Sequence, residues 1–406
     1  MTEHSPLAGA ISKTPDFVRD SIFAVGSTRI IDAVLMMFFV VRIATPGIGL
    51  PVNDVAGLLL VAVAAFRRPT RQLSGTTWFA AISVLLVTFL VIVAIATGPN
   101  QADITRLGRI LILFFLAGFI ASGRIDIVSG LKGFSVGLLA NIPLFYAGLA
   151  PDTYGGLLTG FLNDKNVAGF TYAIMTVLLF LIYRRLWTRI ALTGLGLGAV
   201  VLTDSRTSMA ALAAAIIWLV LARFLGPFFR VVLAGVLLGG FFYAENNLSQ
   251  VGAYAARSGS DELRDRIDAA SLEKTLAAPW YGHGLGEATT EVAGDVWFFH
   301  NSYWGLITEG GYAFLLAILA LLAFAGFQFL GKGKQTPEAR IVEAATIVIL
   351  LCSFRLGEVF ITLPTFIAIG IGLGIYSQRH SDWLVRQAAA GPEVEGALFP
   401  IQQRVS

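Results

Sequence analysis

Cysteine and charged residues are scarce in this 406-residue chain, and each shortage excludes a class of protein. Cys352 is the single cysteine, so the chain cannot form a disulfide within itself. Charged residues make up only 14% of the sequence, whereas hydrophobic residues make up 56%. The net charge of +3 does not indicate nucleic-acid binding, because the basic residues stand between apolar segments. We therefore expect no nucleic-acid partner.

Long apolar runs recur along the whole chain. A helix that crosses a bilayer needs ~20 mostly apolar residues, and this sequence supplies such windows repeatedly. The fold class predicted is an all-α integral membrane protein with about twelve transmembrane helices, for which the lipid bilayer is the environment. The predicted spans are 29–48, 53–66, 78–96, 107–122, 126–149, 167–183, 188–203, 208–224, 228–244, 304–330, 339–354 and 360–377.

Lysine and arginine residues recur in alternate connecting loops, as in Arg67 and Arg68 and again in Arg184 and Arg185. By the positive-inside rule these loops and both termini lie in the cytoplasm. The chain then divides into four parts. They are an N-terminal bundle of about nine spans (1–244), an outward-facing loop (245–303), three further spans (304–377) and a cytoplasmic tail (378–406).

The loop 245–303 is a long polar interruption between apolar segments, and chemistry is expected there. Within it, residues 261–277 carry apolar side chains near a period of 3.6, which predicts a short amphipathic helix. The apolar stripe consists of Leu263, Ile267, Ala270, Leu272 and Leu276. Arg264 and Arg266 lie two positions apart on this helix and therefore point in different directions. The sequence leaves open which of the two faces a site.

Several basic residues fall on the outward side, where topology does not require them. Clustered guanidinium groups recognise phosphate through paired hydrogen bonds, so the set predicts an anionic substrate at the outer leaflet. The alternative is that each one extends to lipid phosphates or pairs with a nearby acid such as Asp103, Asp204 or Glu358. The set consists of Arg42, Arg106, Arg109, Lys165, Arg206, Arg264, Arg266 and Arg355.

His300 is the best-placed of the four histidines, because it stands immediately before a predicted span. A neutral imidazole at the bilayer surface can take a proton from an attacking hydroxyl. The alternative is that His300 belongs only to an interfacial aromatic belt, since aromatic residues surround it. The chain has no HExxH motif, no Cys/His cluster and no GxxxxGK[ST] motif, so we expect no metal ion and no cofactor.

Four short motifs, taken in order over roughly residues 155–320, resemble those of the O-antigen ligase and polymerase superfamily of bacterial membrane glycosyltransferases. One departure is Asp268, at a position where the family helix usually has Trp. The motifs are Gly160-Phe161-Leu162-Asn163-Asp164-Lys165-Asn166; Asp204-Ser205-Arg206-Thr207-Ser208; Arg264 followed by Pro279-Trp280-Tyr281-Gly282-His283-Gly284-Leu285-Gly286; and His300-Asn301 followed by Glu309-Gly310-Gly311.

The resemblance implies transfer of a glycan from an undecaprenyl diphosphate carrier to an acceptor hydroxyl, at the periplasmic face of the bacterial inner membrane. The acceptor would be lipid A–core for a ligase and another glycan for a polymerase. Transfer is expected to be metal-independent and to invert the anomeric carbon. The expected catalytic residues are His300, Arg206 and Arg264, with the arginines on the diphosphate and the histidine as base. The expected substrate-binding residues are Arg266, Asn163, Lys165, Asn166, Asn301, Arg42, Arg106, Arg109 and Arg355.

A transporter or flippase for polysaccharide precursors is the alternative from another class of protein. Such a protein places charged residues and broken helices near mid-membrane and is built from repeats. The predicted spans of this chain hold few central charges, which favours the enzyme.

Overall fold

The computed structural model describes residues 29–390 except 48, 99–100, 248–257, 330 and 332–334. Within these residues the chain is mostly helical, and one small sheet lies between two of the helices. The helices are α1 (Ile30–Met37), α2 (Val52–Ala65), α3 (Thr77–Thr97), α4 (Gln101–Ala121), α5 (Ile127–Tyr146), α6 (Lys165–Leu178), α7 (Leu186–Thr203), α8 (Arg206–Leu221), α9 (Pro227–Asn247), α10 (Ser258–Ala277), α11 (Ser302–Leu321), α12 (Pro337–Cys352) and α13 (Leu363–Ala390).

Seven helices of the described part are long and apolar enough to cross a bilayer. Shorter apolar helices accompany them at Ile30–Val40, Val52–Ala65 and Lys165–Leu181. The prediction of a mostly helical membrane protein is confirmed, but the count of about twelve spans is not. The seven are Thr77–Thr97, Asp103–Ala121, Ile127–Tyr146, Leu186–Thr203, Arg206–Phe224, Phe228–Glu245 and Ser302–Gly326.

Helix α12 lies at the centre of the bundle. It packs against α6, α8 and α13, and nearly all of its side chains from Ala339 to Cys352 are buried. Close helix crossings elsewhere use glycine, as membrane helices commonly do. A β-carbon on Gly133 of α5 would lie 1.8 Å from the carbonyl oxygen of Ala33 in α1, so only glycine permits this approach.

A two-stranded antiparallel hairpin follows α10, which the all-α prediction did not include. Strand β1 (Thr289–Val292) pairs with β2 (Asp295–Phe298). The turn residues Ala293 and Gly294 both have positive φ, at 59° and 88°. Two central residues with positive φ are what a tight hairpin turn needs, because this geometry matches the twist of the strands.

Helix α10 confirms the predicted helix at 261–277, and it begins slightly earlier, at Ser258. The predicted apolar stripe is wrong in its second half, because Leu272 and Leu276 are exposed while Ser271 and Thr275 are buried. The Ser271 and Thr275 hydroxyls donate to carbonyls one turn earlier in the same helix, which satisfies them without water. Small side chains on this face let α10 pack directly on α11.

Helix α13 also differs from the prediction at the C-terminal end of the chain. The span was predicted over 360–377 with a tail from 378, whereas α13 runs from Leu363 to Ala390. The residues after 390, which form the rest of the predicted tail, lie outside the described part.

Candidate active site

The start of α6 is fixed by its own capping residue. Asn163 adopts the left-handed conformation with φ of 65°, and the chain then turns into the helix. The Asp164 carboxylate accepts hydrogen bonds from the backbone N–H groups of Asn166 and Val167 at 2.8 and 2.9 Å. This cap holds Lys165 and Asn166 in the first turn of α6, where the helix dipole is positive.

A second helix begins beside the first. Asp204 ends α7 in the left-handed conformation, and Ser205 precedes α8. Arg206 and Thr207 therefore occupy the first turn of α8, which packs against α6. Two positive helix ends thus face the same region, an arrangement that favours a bound anion.

His300 is held on a short segment between β2 and α11. The side chain of the next residue, Asn301, accepts hydrogen bonds from the N–H groups of Tyr303 and Trp304 and so caps α11. The Ser302 hydroxyl donates to the carbonyl oxygen of Leu356 at 2.6 Å. The cap and this hydrogen bond to the 353–362 loop fix the position of the backbone at His300.

These elements enclose a cavity of about 340 Å³. Its volume falls within the range of ~300–1,000 Å³ typical of small-molecule sites. Three cationic side chains and one imidazole face two acidic side chains there, so cationic groups are in excess. The lining residues are Tyr154, Lys165, Asn166, Asp204, Arg206, Thr207, Glu245, Leu263, Arg264, Ile267, Trp297 and His300.

Tyr154 closes one side of this cavity. Its hydroxyl donates a 2.6 Å hydrogen bond to the Asp164 carboxylate, and the Lys165 ammonium lies 5.8 Å from the centre of its ring. Burial and the nearby Asp164 charge raise the pKa of Tyr154, so the phenol stays protonated at neutral pH and keeps its hydrogen bond to Asp164.

A chain of polar contacts leads away from the imidazole of His300. Its Nδ1 lies 3.3 Å from Oδ1 of Asp268, on α10. Oδ2 of Asp268 lies 3.6 Å from Arg355, and Arg355 lies 3.6 Å from Glu245 as well. The Glu245 carboxylate in turn accepts a 2.7 Å hydrogen bond from the hydroxyl of Thr207. Arg355 was predicted to bind the substrate; in the structure its guanidinium lies between two carboxylates.

The glycine-rich turn after α10 packs directly on a break in α11. Gly311 has φ of 64°, and a β-carbon there would lie 1.8 Å from the carbonyl oxygen of Trp280. The His283 N–H donates to the Thr308 carbonyl at 2.7 Å, and the Tyr312 N–H donates to that of Trp280 at 3.2 Å. The two glycine motifs of the sequence thus form one docking surface that holds α10 against α11.

Arg106 lies outside the cavity, in a separate group of ion pairs. Its guanidinium contacts Glu309 at 3.1 Å and also Glu358. Glu309 is only 2% exposed, and its other oxygen accepts a 3.1 Å hydrogen bond from the N–H of Gly286. Arg106 was predicted to help bind the substrate; in the structure its guanidinium contacts two carboxylates outside this cavity.

Arg109 and Arg42 belong to the same group. Arg109 contacts Asp54 at 2.6 Å and Glu358 at 3.6 Å. Arg42 and Arg109 line a smaller cavity of about 50 Å³ together with these two acids. Burial alone would raise the pKa of Glu358, but the surrounding guanidinium groups outweigh it and lower that pKa. Pairing with Glu358 was the alternative that the sequence left open.

The structure therefore divides the predicted site residues into two sets. It brings His300, Arg206, Arg264, Lys165 and Asn166 to one cavity. Outside that cavity lie the exposed Arg266 and Asn163, the helix-capping Asn301, the bridging Arg355, and Arg42, Arg106 and Arg109.

Sequence reasoning missed several residues of the site. Tyr154, Thr207, Glu245 and Trp297 line the cavity, and Asp268 lies directly behind His300. For Asp268 the sequence offered one indication: an acidic residue stands where the family that the motifs resemble usually has Trp. Among the described residues, no group of three or more His, Cys, Asp or Glu side chains is arranged to hold a metal ion.

Fold and site together define a multi-pass membrane protein with a cationic, histidine-containing cavity. Residues 190–313 match the family model described as O-antigen ligase. The chain is also similar to an O-antigen ligase of Pseudomonas aeruginosa, with 30% identity over 173 residues. That match covers 41% of this chain and 41% of the relative's length. Both comparisons point to the superfamily that the sequence motifs resemble, each over less than half of this chain.

Proposed function

We propose that the protein transfers a glycan from undecaprenyl diphosphate to an acceptor hydroxyl, with lipid A–core as the acceptor. The observation that carries this proposal is the convergence of Arg206, Arg264 and His300 on one cavity. These residues come from α8, from α10 and from the segment before α11. Two further features support the proposal: the match to the O-antigen ligase model over 190–313 and the two positive helix ends at the cavity.

The arginines act on the leaving group. As the bond between the anomeric carbon and the phosphate oxygen breaks, negative charge builds up on the diphosphate. Arg206 and Arg264 stabilise that charge through paired hydrogen bonds, and Lys165 adds a third positive charge. A leaving group that is already stabilised in this way needs no metal ion, so transfer is metal-independent in this proposal.

His300 acts on the acceptor. Its neutral imidazole takes the proton of the acceptor hydroxyl as the oxygen attacks the anomeric carbon from the face opposite the diphosphate. The new glycosidic bond has inverted configuration, the proton remains on the imidazole, and the carrier leaves as the diphosphate. The cavity opens at the periplasmic face of the inner membrane in this scheme, next to lipid-linked donors.

The test is transfer by the purified protein in detergent. Lipid-linked glycan is supplied with lipid A–core or with a free glycan chain as acceptor, with and without EDTA. Transfer to lipid A–core that persists in EDTA is the expected result. Extension of the free glycan alone would identify a polymerase of the same superfamily. If neither acceptor receives glycan and the protein moves the donor across the membrane of proteoliposomes, the protein is a flippase and the enzyme proposal is wrong.

A further inference from the structure

The proposed reaction gives no role to Asp268, although its carboxylate contacts the imidazole of His300. Nδ1 of the imidazole and Oδ1 of the carboxylate lie 3.3 Å apart. Both atoms are buried, and neither has a hydrogen-bond partner among the described residues. Each is therefore the polar atom best placed to satisfy the other, at a separation just beyond the ~2.7–3.2 Å usual for such a hydrogen bond.

We propose that Asp268 is a positioning residue, which holds the His300 proton on Nδ1 and leaves Nε2 open to the cavity. The inference rests on the proposed function, since it assigns the group that prepares the base. A carboxylate accepts hydrogen bonds and cannot donate one, so it selects the tautomer with hydrogen on the facing nitrogen. It also stabilises the imidazolium that forms once the base has taken a proton.

Neighbouring residues keep this carboxylate in place. Arg355 contacts the second oxygen of Asp268 and is itself anchored to Glu245, which Thr207 holds from α8. The carboxylate therefore has a partner on each side, in the manner of other histidine bases that are oriented by an acid. Asp268 is 18% exposed and His300 is 27% exposed, so the pair lies partly shielded from water while the imidazole still borders the cavity.

The first test reads the tautomer directly and does not depend on activity. The chain has only four histidines, so NMR spectra of protein labelled with ¹⁵N-histidine contain few signals. The His300 signal is assigned by its loss in His300→Gln. Wild-type protein should carry the proton on Nδ1. Asp268→Asn can turn its NH₂ group toward Nδ1, which should move the proton to Nε2. Unchanged ¹⁵N shifts in Asp268→Asn would overturn the proposal.

The second test reads turnover. Asp268→Asn should lower kcat by roughly 10²–10⁴-fold, and it should cause no further loss in a His300→Ala background because the two residues act as one unit. Asp268→Glu keeps the carboxylate and should recover part of the activity. The matched control is Asp265→Asn, an exposed acid on the same helix, which should behave as wild type. Independent, additive losses in the double variant would contradict the proposal.

The pH profile separates positioning from a purely structural role. Without the carboxylate the imidazolium is less stable, so the acidic limb of the kcat profile should move to lower pH in Asp268→Asn. An unchanged limb would speak against the pair. Asp268→Ser also removes the carboxylate and replaces Asp268→Asn if that variant is unstable. The other charged groups around the imidazole, unchanged in these variants, are Lys165, Asp204, Arg206, Glu245, Arg264 and Arg355, with the phenol of Tyr154.

The two proposals fail in different ways. If the wild-type protein transfers no glycan, the proposed function falls and the ¹⁵N measurement alone decides whether the pair exists. If transfer occurs but the tautomer does not respond to Asp268→Asn, the positioning role falls and the glycosyl transfer stands.

Discussion

Arg264 and Arg266 allow a sharp test, because they lie two positions apart on α10 and differ in surroundings. Arg264 borders the cavity and is partly buried, whereas Arg266 is exposed. We expect Arg264→Ala to reduce transfer strongly and Arg266→Ala to leave it nearly unchanged. The two variants remove the same charge from the same helix, so each serves as the other's control for folding and for overall electrostatics.

The size of the effect follows from where the charge develops. A charge-assisted contact that stabilises a leaving group in a partly dehydrated cavity contributes ~2–4 kcal/mol to the transition state. Its loss therefore corresponds to a ~30- to 1,000-fold fall in kcat/KM. An exposed charge that contacts nothing in the site changes free energies by ~0.5 kcal/mol or less, which is about twofold.

The assay is transfer of lipid-linked glycan by purified protein, with donor concentration varied to separate kcat from KM. A contact made mainly in the transition state lowers kcat and kcat/KM together. Equal losses in the two variants, or a larger loss in Arg266→Ala, would refute the assignment of Arg264 to the diphosphate.

Three further predictions follow from the same geometry. Arg206→Lys keeps the charge but loses the planar fork, so transfer should fall at least tenfold in the same assay while folding, judged by thermal unfolding, stays normal. Glu309→Gln leaves the partly buried guanidinium of Arg106 short of one carboxylate and should cost on the order of 3 kcal/mol in a denaturation assay. The pKa of Glu358 is lowered by folding, so its ion pairs stabilise the protein above the ordinary carboxyl value of 4.5, and this stabilisation is lost as pH falls through the lower folded value. Glu273→Cys, in the outward loop, should react with an impermeant thiol reagent in intact spheroplasts, and Gln378→Cys, on the cytoplasmic side, should not. The native Cys352 is buried and should add no background, and the reverse labelling would invert the topology.

The helical class and the motifs could be predicted because their signals are local. An apolar run of about 20 residues specifies a membrane helix wherever it lies in the chain. The residues 261–277 indicated helix α10 through their own periodicity. The hairpin was not predicted because its turn, Ala293-Gly294, is a weak signal. The first position of such a turn usually carries Asn, Asp or Gly, and here it carries Ala.

The ion pairs in and around the site could not be assigned from the sequence, because they join residues far apart in the chain. Arg106 meets Glu309 across 203 positions and Glu358 across 252. The motif around Arg206 marked that residue for the site, but nothing in the sequence around Arg106 shows that it contacts Glu309 and Glu358 outside the cavity. The same limit applies to Asp268, whose contact with His300 becomes visible only when α10 is placed beside that residue.

Replacement of His300 tests the central claim most directly. Transfer by wild-type protein is compared with transfer by His300→Ala across a range of pH, and donor binding is measured separately. The account predicts a fall in turnover of ~10²–10⁴-fold with donor binding intact, and a residual rate that rises with pH as hydroxide replaces the lost base. A folded His300→Ala protein with near-normal turnover would contradict the account and leave His300 as part of the aromatic surface at the membrane.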